Sequence, residues 1–317
     1  MKLYKNKYKS ISVPYERSYQ RIDNFLINNI KKISKNLLYL YIRKGLILVN
    51  AKKVNQKYKI NYNDIILIPK IILIQKNKKK TINKYIINIL KRSIIFEDNC
   101  LIIINKPAKI SVHGCINSNL GIIEYFRILR PKLNFLELVH RLDKETSGVL
   151  ILAKKKSVLC NLHNQLKYKK VKKEYLTLVK GYWNKNIKYI SQPLLKKRNL
   201  NNKHKVKINN LGKKSKTLFK IKERFKIATL LKVIPLTGRT HQIRVHALFA
   251  GHPIAFDNRY GDKNFDKKLK LCGLNSLFLH AKSMIFYHPI NHKIINIKAK
   301  LNSKMKKCVI YLRSLKI

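Results

Sequence analysis

The sequence predicts an α+β protein in which short helices and short strands alternate along 317 residues. Apolar runs at 101–104 and 149–153 are bounded by turn residues, as is typical of buried strands. Residues 157–167 instead repeat their leucines at the spacing of one helical face. At 37.4 kDa the chain is long enough for one large domain and a small one. The order of the strands does not follow from this pattern.

Two helices and a small sheet are predicted near the start of the chain. Residues 21–32 place five side chains on one helical face, namely Ile22, Phe25, Leu26, Asn29 and Ile30. Ser34 is a candidate N-cap for a second helix that ends at Gly45, and strands are predicted at 46–50 and 64–69. Residues 81–92 contain no acid and predict a basic linker. We therefore expect domains at 19–80 and 93–317.

Charge is the strongest compositional feature. The chain has 71 Lys plus Arg against 14 acids, a formal net charge of +57, which indicates a polyanionic partner such as nucleic acid. Mutation bias in an adenine- and thymine-rich genome would explain about half of this excess. Glycine-rich phosphate loops are absent from the sequence, which argues against nucleotide hydrolysis and hydride transfer.

Localisation is predicted from three further features. No apolar run approaches the roughly 18 to 20 residues of a membrane span, and residues 1–10 lack the apolar core of a signal peptide. The five cysteines are scattered without the paired spacing of a zinc site. We expect a cytoplasmic protein with reduced thiols and no metal.

The most informative stretch is 140–148, which reads His-Arg-Leu-Asp-Lys-Glu-Thr-Ser-Gly and leads into the strand-like run 149–153. Polar loops at strand ends often present catalytic side chains. Asp143 lies between Arg141 and Lys144, so opposite charge would favour its ionised form. For a bare Arg-x-Asp, a surface loop with local ion pairs is the alternative interpretation.

Two other clusters stand out later in the chain. A strand-like segment at 173–179 contains Tyr175, which in isolation would most often be a packing residue. Residues 237–246 read Thr-Gly-Arg-Thr-His-Gln-Ile-Arg-Val-His. A helix that begins near Thr240 and ends at Gly251 would place His241, Arg244 and Leu248 on one side.

These segments resemble the motifs of the RluA/RluC/RluD family of RNA pseudouridine synthases. The match includes 140–148, Tyr175-Leu176, 237–246 and an opening strand that ends in Lys106-Pro107, with Lys109 at a position where the family usually has glycine. Residues 251–262 are most similar to the branch that modifies several uridines of 23S ribosomal RNA. The resemblance implies a catalytic domain with a long mixed, mainly antiparallel sheet and flanking helices.

The resemblance also implies roles for individual residues. Asp143 would be the catalytic residue, either as a nucleophile or as a base at the sugar, and Arg244 would pair with it. A guanidinium would keep that carboxylate charged and fix its direction bidentately. Tyr175 would stack on the uracil and help to remove the C5 proton, while Arg141 would fill the space of the flipped base.

Other members of these motifs are candidates for RNA binding, namely His140, Arg239 and His241. Because the reaction is an isomerisation, it implies no metal, nucleotide or redox cofactor. One essential carboxylate also differs from the pair that a glycosidase requires.

The N-terminal region resembles an S4-type (alpha-L) RNA-binding module at Arg21-Ile22-Asp23, at 42–45 and at Val49-Asn50. This resemblance implies an edge that contacts phosphates, formed by Arg43, Lys44, Lys52 and Lys53. The alternative is a solvated surface without a ligand.

The partner implied for the whole chain is 23S ribosomal RNA of the large subunit, with no membrane, no protein partner and a monomeric state. Two other functions stay open. A non-catalytic RNA-binding or ribosome-assembly protein would tolerate replacement of Asp143, and a synthase for transfer RNA or other ribosomal uridines would act on a different RNA. The target nucleotides cannot be deduced, because RNA structure helps to choose them.

Overall fold

The computed structural model describes residues 7–30, 35–70, 82–114, 120–198 and 204–315. The chain forms two compact units, residues 1–79 and 80–317. The first unit contains β1 (Tyr8–Ser12), a 3-10 turn (Tyr15–Arg17), α1 (Ile22–Asn29), α2 (Lys35–Arg43), β2 (Leu48–Val49), β3 (Lys52–Lys53) and β4 (Ile65–Pro69). Its strands form an antiparallel sheet in the order β1-β4-β2-β3.

The core of the first unit lies between its two helices and this sheet. The buried apolar residues of α1 and of the position after it are Ile22, Phe25, Leu26 and Ile30, as the helical pattern predicts. Asn29 is exposed instead, and its amide donates to the Phe25 carbonyl. Gly45 has φ +70°, the left-handed conformation that ends α2. Ser34 lies outside the described residues.

The second unit contains α3 (Lys84–Arg92), β5 (Ile94–Glu97), β6 (Leu101–Lys106), α4 (Ile122–Leu129), β7 (Glu137–Leu138), β8 (Ser147–Ala153), α5 (Lys156–Lys167), β9 (Lys172–Lys180), β10 (Tyr189–Ile190), β11 (Leu194–Arg198), β12 (His204–Ile208), β13 (Thr217–Arg224), β14 (Ala228–Pro235), α6 (Gln242–Phe249), α7 (Lys263–Lys268), β15 (Leu279–Tyr287), β16 (Ile294–Lys298) and α8 (Ser303–Ser314). Its main sheet has ten strands, with the path β10-β13-β14-β9-β15-β8-β6-β5, β16 beside β15 and β7 beside β8. The pair β15-β8 is parallel and the other pairs of this sheet are antiparallel. This confirms the long mixed, mainly antiparallel sheet.

Helices cover both faces of the sheet, which explains its continuous apolar strands. Along β8, Leu150 and Leu152 pack in the core under α4, whereas Val149 and Ile151 pack in the core under α5. On the other half of the sheet, α6 and α8 contact opposite faces of β9 and β14. The strand centres are therefore fixed, and polar side chains are presented at strand ends and in loops.

The prediction of a basic linker at 81–92 is wrong for residues 84–92, which form α3. Ile86, Ile87 and Leu90 share one face of this helix and pack in the core with α4. The side chain of Asn83 caps the helix by accepting from the backbone N–H groups of Tyr85 and Ile86. The absence of acids was therefore a poor sign of a linker, and residue 81 lies outside the described residues.

Gly148 permits the close approach that brings two motifs together. Its φ is +111°, and a Cβ at this position would lie 2.2 Å from the Ala281 carbonyl oxygen. Ala281 pairs with Gly148 on one side and with Tyr175 on the other. Only about 10 Å therefore separates the backbones of Gly148 and Tyr175 across two ladders.

Two predictions made from the composition, on membrane spans and on cysteines, can be compared with the structure. Among the described residues, no helix is long and apolar enough to cross a membrane. The described cysteines, Cys100, Cys160, Cys272 and Cys308, are free thiols.

Candidate active site

Asp143 lies in the loop between β7 and β8, and a buried lysine donates a hydrogen bond to the backbone of this loop. Lys106, at the end of β6, is fully buried, and its Nζ donates to the carbonyls of Pro107, Ile110 and Lys144 at 2.8, 2.8 and 3.1 Å. Burial lowers the pKa of Lys106 to about 7. Because three N–H groups meet three carbonyls, Lys106 fixes the backbone directly after Asp143. Lys109 has φ +69°, which accounts for the glycine usual there in the family.

Asp143 borders two cavities. One is a cavity of about 550 Å³, whose lining includes His140, Arg141, Asp143, Lys173, Tyr175, Arg239, His241 and Arg244. A second cavity of about 580 Å³ lies on the other side of Asp143, near His113, Asp257 and Arg259. Both volumes are in the range of small-molecule sites, and the Asp143 side chain is 25% exposed. A substrate can therefore reach this carboxylate.

Arg244 pairs with Asp143, but the prediction that this pairing is bidentate is wrong. Arg244 instead binds Asp257 bidentately, with Nε to Oδ2 at 2.7 Å and Nη2 to Oδ1 at 2.6 Å. Only Nη1 is directed at Asp143, 3.5 Å from Oδ2. Asp257 is fully buried, so it holds the guanidinium in one orientation while Nη1 stays available.

His241 is the second positive or polar neighbour of Asp143. Its Nε2 lies 3.6 Å from Asp143 Oδ2, and its Nδ1 lies 2.9 Å from the hydroxyl of Tyr260. That hydroxyl accepts the backbone N–H of Val206 in β12. Burial lowers the pKa of His241 to about 4, so the ring is neutral at neutral pH. Within the described residues, Asp143 forms its ion pair with Arg244 rather than with its chain neighbours, and the neutral His241 is a polar neighbour of the same oxygen.

The start of α6 differs slightly from the prediction. The helix begins at Gln242, and His241 before it is in the left-handed conformation with φ +54°. Gln242 Oε1 accepts from the Thr237 hydroxyl and the Arg239 N–H, which holds the preceding loop in place. His241 and Arg244 both face Asp143, whereas Leu248, predicted on the same side of the helix, is exposed.

Tyr175 lies on β9 and lines the 550 Å³ cavity beside Asp143. Burial and the charge of Asp143 raise the pKa of the Tyr175 phenol, so it stays protonated. His140 lies in the same wall, and its Nε2 accepts the Ile151 N–H at 3.3 Å. Burial and the nearby Lys173 lower the pKa of His140 to about 3, so this ring is also neutral.

The other predicted residues occupy two separate regions. Arg141 and Arg239 are exposed and line the cavity of Asp143. In the first unit, Arg43, Lys44, Lys52 and Lys53 are exposed near Gly45, where the Lys53 side chain would lie 3.2 Å from an added Cβ. Lys52 and Lys53 form the edge strand β3, Arg43 ends α2, and Lys44 follows it.

Sequence reasoning missed several residues of this site. Lys106 and Asp257 both lie in stretches quoted for the family resemblance, yet neither was given a role. Asp257 could have been found as one of only 14 acids in the chain. Lys106 had no such signal, because an apolar run that ends in lysine usually places that lysine in solvent.

Three possible metal ligands also gather outside this site. The ligand atoms of Asp98, Cys100 and His288 lie within 4.8 Å of one another. However, His288 Nδ1 accepts from the N–H groups of Ile290 and Asn291, so Nε2 carries the proton and donates to Asp98 at 3.0 Å. Asp98 also accepts from the Cys100 N–H. Hydrogen bonds within and between two loops therefore explain this cluster without a metal.

Buried neutral histidines predict a loss of stability in acid. Burial lowers the pKa of His140 to about 3 and those of His241 and His280 to about 4, against 6.5 for an exposed histidine. Between pH 6.5 and 4 the unfolded chain binds more protons, so the stability of the second unit falls as the pH is lowered. Urea unfolding followed by fluorescence of the single tryptophan, Trp183, should give a lower midpoint at pH 4.5 than at pH 7.

The replacement His241→Gln should lessen this loss, because it removes one of the titrating groups. Equal urea midpoints at pH 4.5 and at pH 7 for the wild type would contradict the assignment of neutral, buried histidine rings.

The fold and the site are those of an enzyme in which one carboxylate, held beside an arginine, acts on a substrate in a basic cavity. Residues 100–248 match the family model described as RNA pseudouridylate synthase. The chain is 46% identical to "Ribosomal large subunit pseudouridine synthase C" of Haemophilus influenzae, over 99% of this chain and 98% of that protein. It is 51% identical to the protein of the same name in Buchnera aphidicola, over 89% and 90% of the two chains.

A solved structure titled "Human RNA Pseudouridylate Synthase Domain Containing 4" superposes with a TM-score of 0.56 and 27% identity, over 72% of this chain and 96% of the human chain. The chain belongs to the RluA/RluC/RluD family of RNA pseudouridine synthases. Its similarity to synthase C relatives extends over nearly the whole chain, as residues 251–262 predict.

Proposed function

We propose that this enzyme isomerises specific uridines of 23S ribosomal RNA to pseudouridine, as an RluC-type synthase. The relatives named for the ribosomal large subunit match at 46% and 51% identity over most of their length. The single observation that carries the proposal is the accessible carboxylate of Asp143, held 3.5 Å from Arg244 beside a cavity of about 550 Å³. A flipped nucleotide is the form in which a base within RNA could enter such a cavity.

In this reaction the bond from uracil N1 to the ribose breaks and a bond to C5 forms. We assign the first step to Asp143, as a nucleophile or as a base at the sugar. Arg244 orients it through Nη1 while Asp257 holds the rest of the guanidinium. Because His241 is neutral, its Nε2 is suited to a hydrogen bond with Asp143 and not to a full ion pair.

Tyr175 would stack on the uracil. Since its pKa is raised by burial and by Asp143, the phenol stays protonated at neutral pH, and the phenolate that would accept the C5 proton is scarcely populated. This supports a stacking role over removal of the C5 proton. Arg141 is exposed at the rim of both cavities, where it could occupy the space left by the flipped base.

Mapping pseudouridines in cells with and without the protein tests the target. We expect specific positions of 23S ribosomal RNA to lose the modification on deletion and to regain it on expression of the wild type. Loss confined to transfer RNA would instead favour the alternative substrate class. A full set of modifications in the deletion strain would favour a non-catalytic role.

We further propose that residues 19–80 form an S4-like RNA-binding domain. Support comes from two helices on a small sheet and from the exposed basic edge of Arg43, Lys44, Lys52 and Lys53. Residues 93–317 would form the synthase domain, to which α3 also contributes. An enzyme of ribosomal RNA that needs no partner for its site would act as a monomer in the cytoplasm.

The basic edge gives a prediction about salt dependence. Because phosphate contacts release counterions, Lys52→Ala combined with Lys53→Ala should lower the slope of log affinity against log salt by about 2. The matched control replaces Lys7 and Lys9, exposed residues at the opposite edge of the same sheet, and should leave the slope unchanged. Equal slopes for all three proteins would place Lys52 and Lys53 outside the RNA interface.

A further inference from the structure

Lys173 is a charged residue of the active-site cavity that has no role in the reaction described above. It lies on β9 two residues before Tyr175, so both side chains project from the same face of the strand. Both line the cavity of Asp143. Lys173 also lines an adjoining hollow of about 330 Å³, formed with Leu166, Pro235 and Ser283 among others. It therefore stands where the two hollows meet.

The ammonium of Lys173 is half-buried, and within the described part of the chain it makes no hydrogen bond or ion pair. Other withdrawn lysines of this unit are satisfied. Lys106 donates to three carbonyls, Lys154 pairs with Glu97 at 2.7 Å, and Lys282 donates to the Ala299 carbonyl at 3.0 Å. A cation removed from water without a partner is costly, and burial accordingly lowers the pKa of Lys173.

The neighbours of Lys173 do not supply the missing negative charge. His140 beside it is neutral, with its Nε2 engaged by the Ile151 N–H. Asp143 is on the same cavity, but its ion pair is with Arg244, 3.5 Å away, and its other neighbour at 3.6 Å is the neutral His241. The ammonium of Lys173 therefore faces the cavity of Asp143, which the substrate would fill.

We propose that Lys173 binds a backbone phosphate next to the flipped uridine, an inference that rests on the proposed function. The stacking residue Tyr175 and Lys173 are about 7 Å apart along β9, so one strand would hold both the base and its phosphate chain. A phosphate supplies the anionic oxygens that a partly desolvated ammonium lacks. A phosphate held at Lys173 is also kept away from the carboxylate of Asp143, which matters because two negative groups repel each other in a cavity of low dielectric. Lys173 therefore positions the nucleotide while Asp143 acts on the sugar.

The test compares wild type and Lys173→Met on an RNA fragment of the large subunit that contains one mapped target uridine. Three versions are used: natural phosphates, a neutral methylphosphonate on the 5′ side of the target, and one on the 3′ side. On natural RNA, single-turnover kcat/KM should fall about 10- to 100-fold in Lys173→Met, as expected for the loss of a charged hydrogen bond. Lys173→Arg should recover most of this loss, and the salt slope of Lys173→Met should fall by about 1.

The decisive comparison uses the neutral fragments. With the contacted phosphate neutralised, wild type should fall to the level of Lys173→Met, and the substitution should then cost nothing more. Losses that multiply at both positions would overturn the proposal. The matched control Lys220→Met changes an exposed lysine of β13 and should stay within about two-fold of wild type on every fragment.

Failure of this inference is distinguishable from failure of the proposed function. Wild type that forms no pseudouridine in the natural fragment would contradict the function itself. Active wild type together with an equally active Lys173→Met would contradict only the role of Lys173. If Lys173→Met folds poorly by Trp183 fluorescence, the Arg variant and the neutral fragments still decide the question, because both use folded enzyme.

Discussion

Replacement of Asp143 by Asn should abolish pseudouridine formation, with kcat reduced by at least about 10³-fold, while RNA affinity stays within a few-fold. The amide has the same shape as the carboxylate but cannot act as a nucleophile or as a base. Arg244 and His241 both approach the single oxygen Oδ2, at 3.5 and 3.6 Å, so an amide oxygen can occupy the same place. Single-turnover assays and equilibrium binding to the same RNA measure the two quantities separately.

A matched control is Asp262→Asn. Asp262 caps α7 and pairs with Lys180 outside both cavities, and asparagine is an equally good N-cap. Its activity should equal that of wild type. Undiminished turnover by Asp143→Asn would instead remove the carboxylate from the mechanism and favour a protein that only binds RNA.

Local patterns were sufficient to predict the elements that carry the motifs. The apolar run at 149–153 lies within β8, and the helical pattern at 157–167 lies within α5. In both cases the side chains pack against the nearest layer, so local periodicity and tertiary burial agree. The position of Asp143 at the mouth of a strand followed from the same pattern.

Partners that depend on tertiary structure were harder to predict. The sequence motif contains Arg244 but does not say which of two carboxylates receives its bidentate fork. Asp257 receives it because its side chain is fully buried beside Arg244, whereas the Asp143 side chain is 25% exposed. Lys106 was equally hidden, since its burial depends on three carbonyls that only the folded loops bring together.

The largest effect on stability is expected at Asp257. The variant Asp257→Asn keeps an oxygen that can accept from the N–H groups of Arg259 and Tyr260, but it removes the charge that opposes Arg244. Arg244 is 5% exposed, so its buried guanidinium would be left with only the more distant carboxylate of Asp143, 3.5 Å away, as a counterion. Breaking one partner of such a pair costs about 3 to 5 kcal/mol. Since Trp183 is the single tryptophan and belongs to the second unit, its fluorescence in urea reports this loss.

Activity should fall as well, by roughly 10- to 100-fold in kcat, because Arg244 would no longer be held in the direction of Asp143. The double variant Arg244→Met with Asp257→Asn separates the two effects. With both charges removed, most of the stability should return, yet the enzyme should remain impaired because Asp143 has lost its arginine. Recovery of activity in the double variant would show that Arg244 acts only in folding.

The exposed pair of Arg313 with Glu223 provides the matched control for Asp257→Asn. Its geometry is also bidentate, at 2.6 and 2.7 Å, but Arg313 is 57% exposed. Glu223→Gln should therefore cost less than about 1 kcal/mol, since water screens the remaining charge. Equal losses at Asp257 and Glu223 would contradict the argument that burial of Arg244 makes its second carboxylate essential. A larger loss of stability in Asp257→Asn than in Glu223→Gln would show that Asp257 allows the Arg244 guanidinium both to stabilise the fold and to orient the catalytic carboxylate.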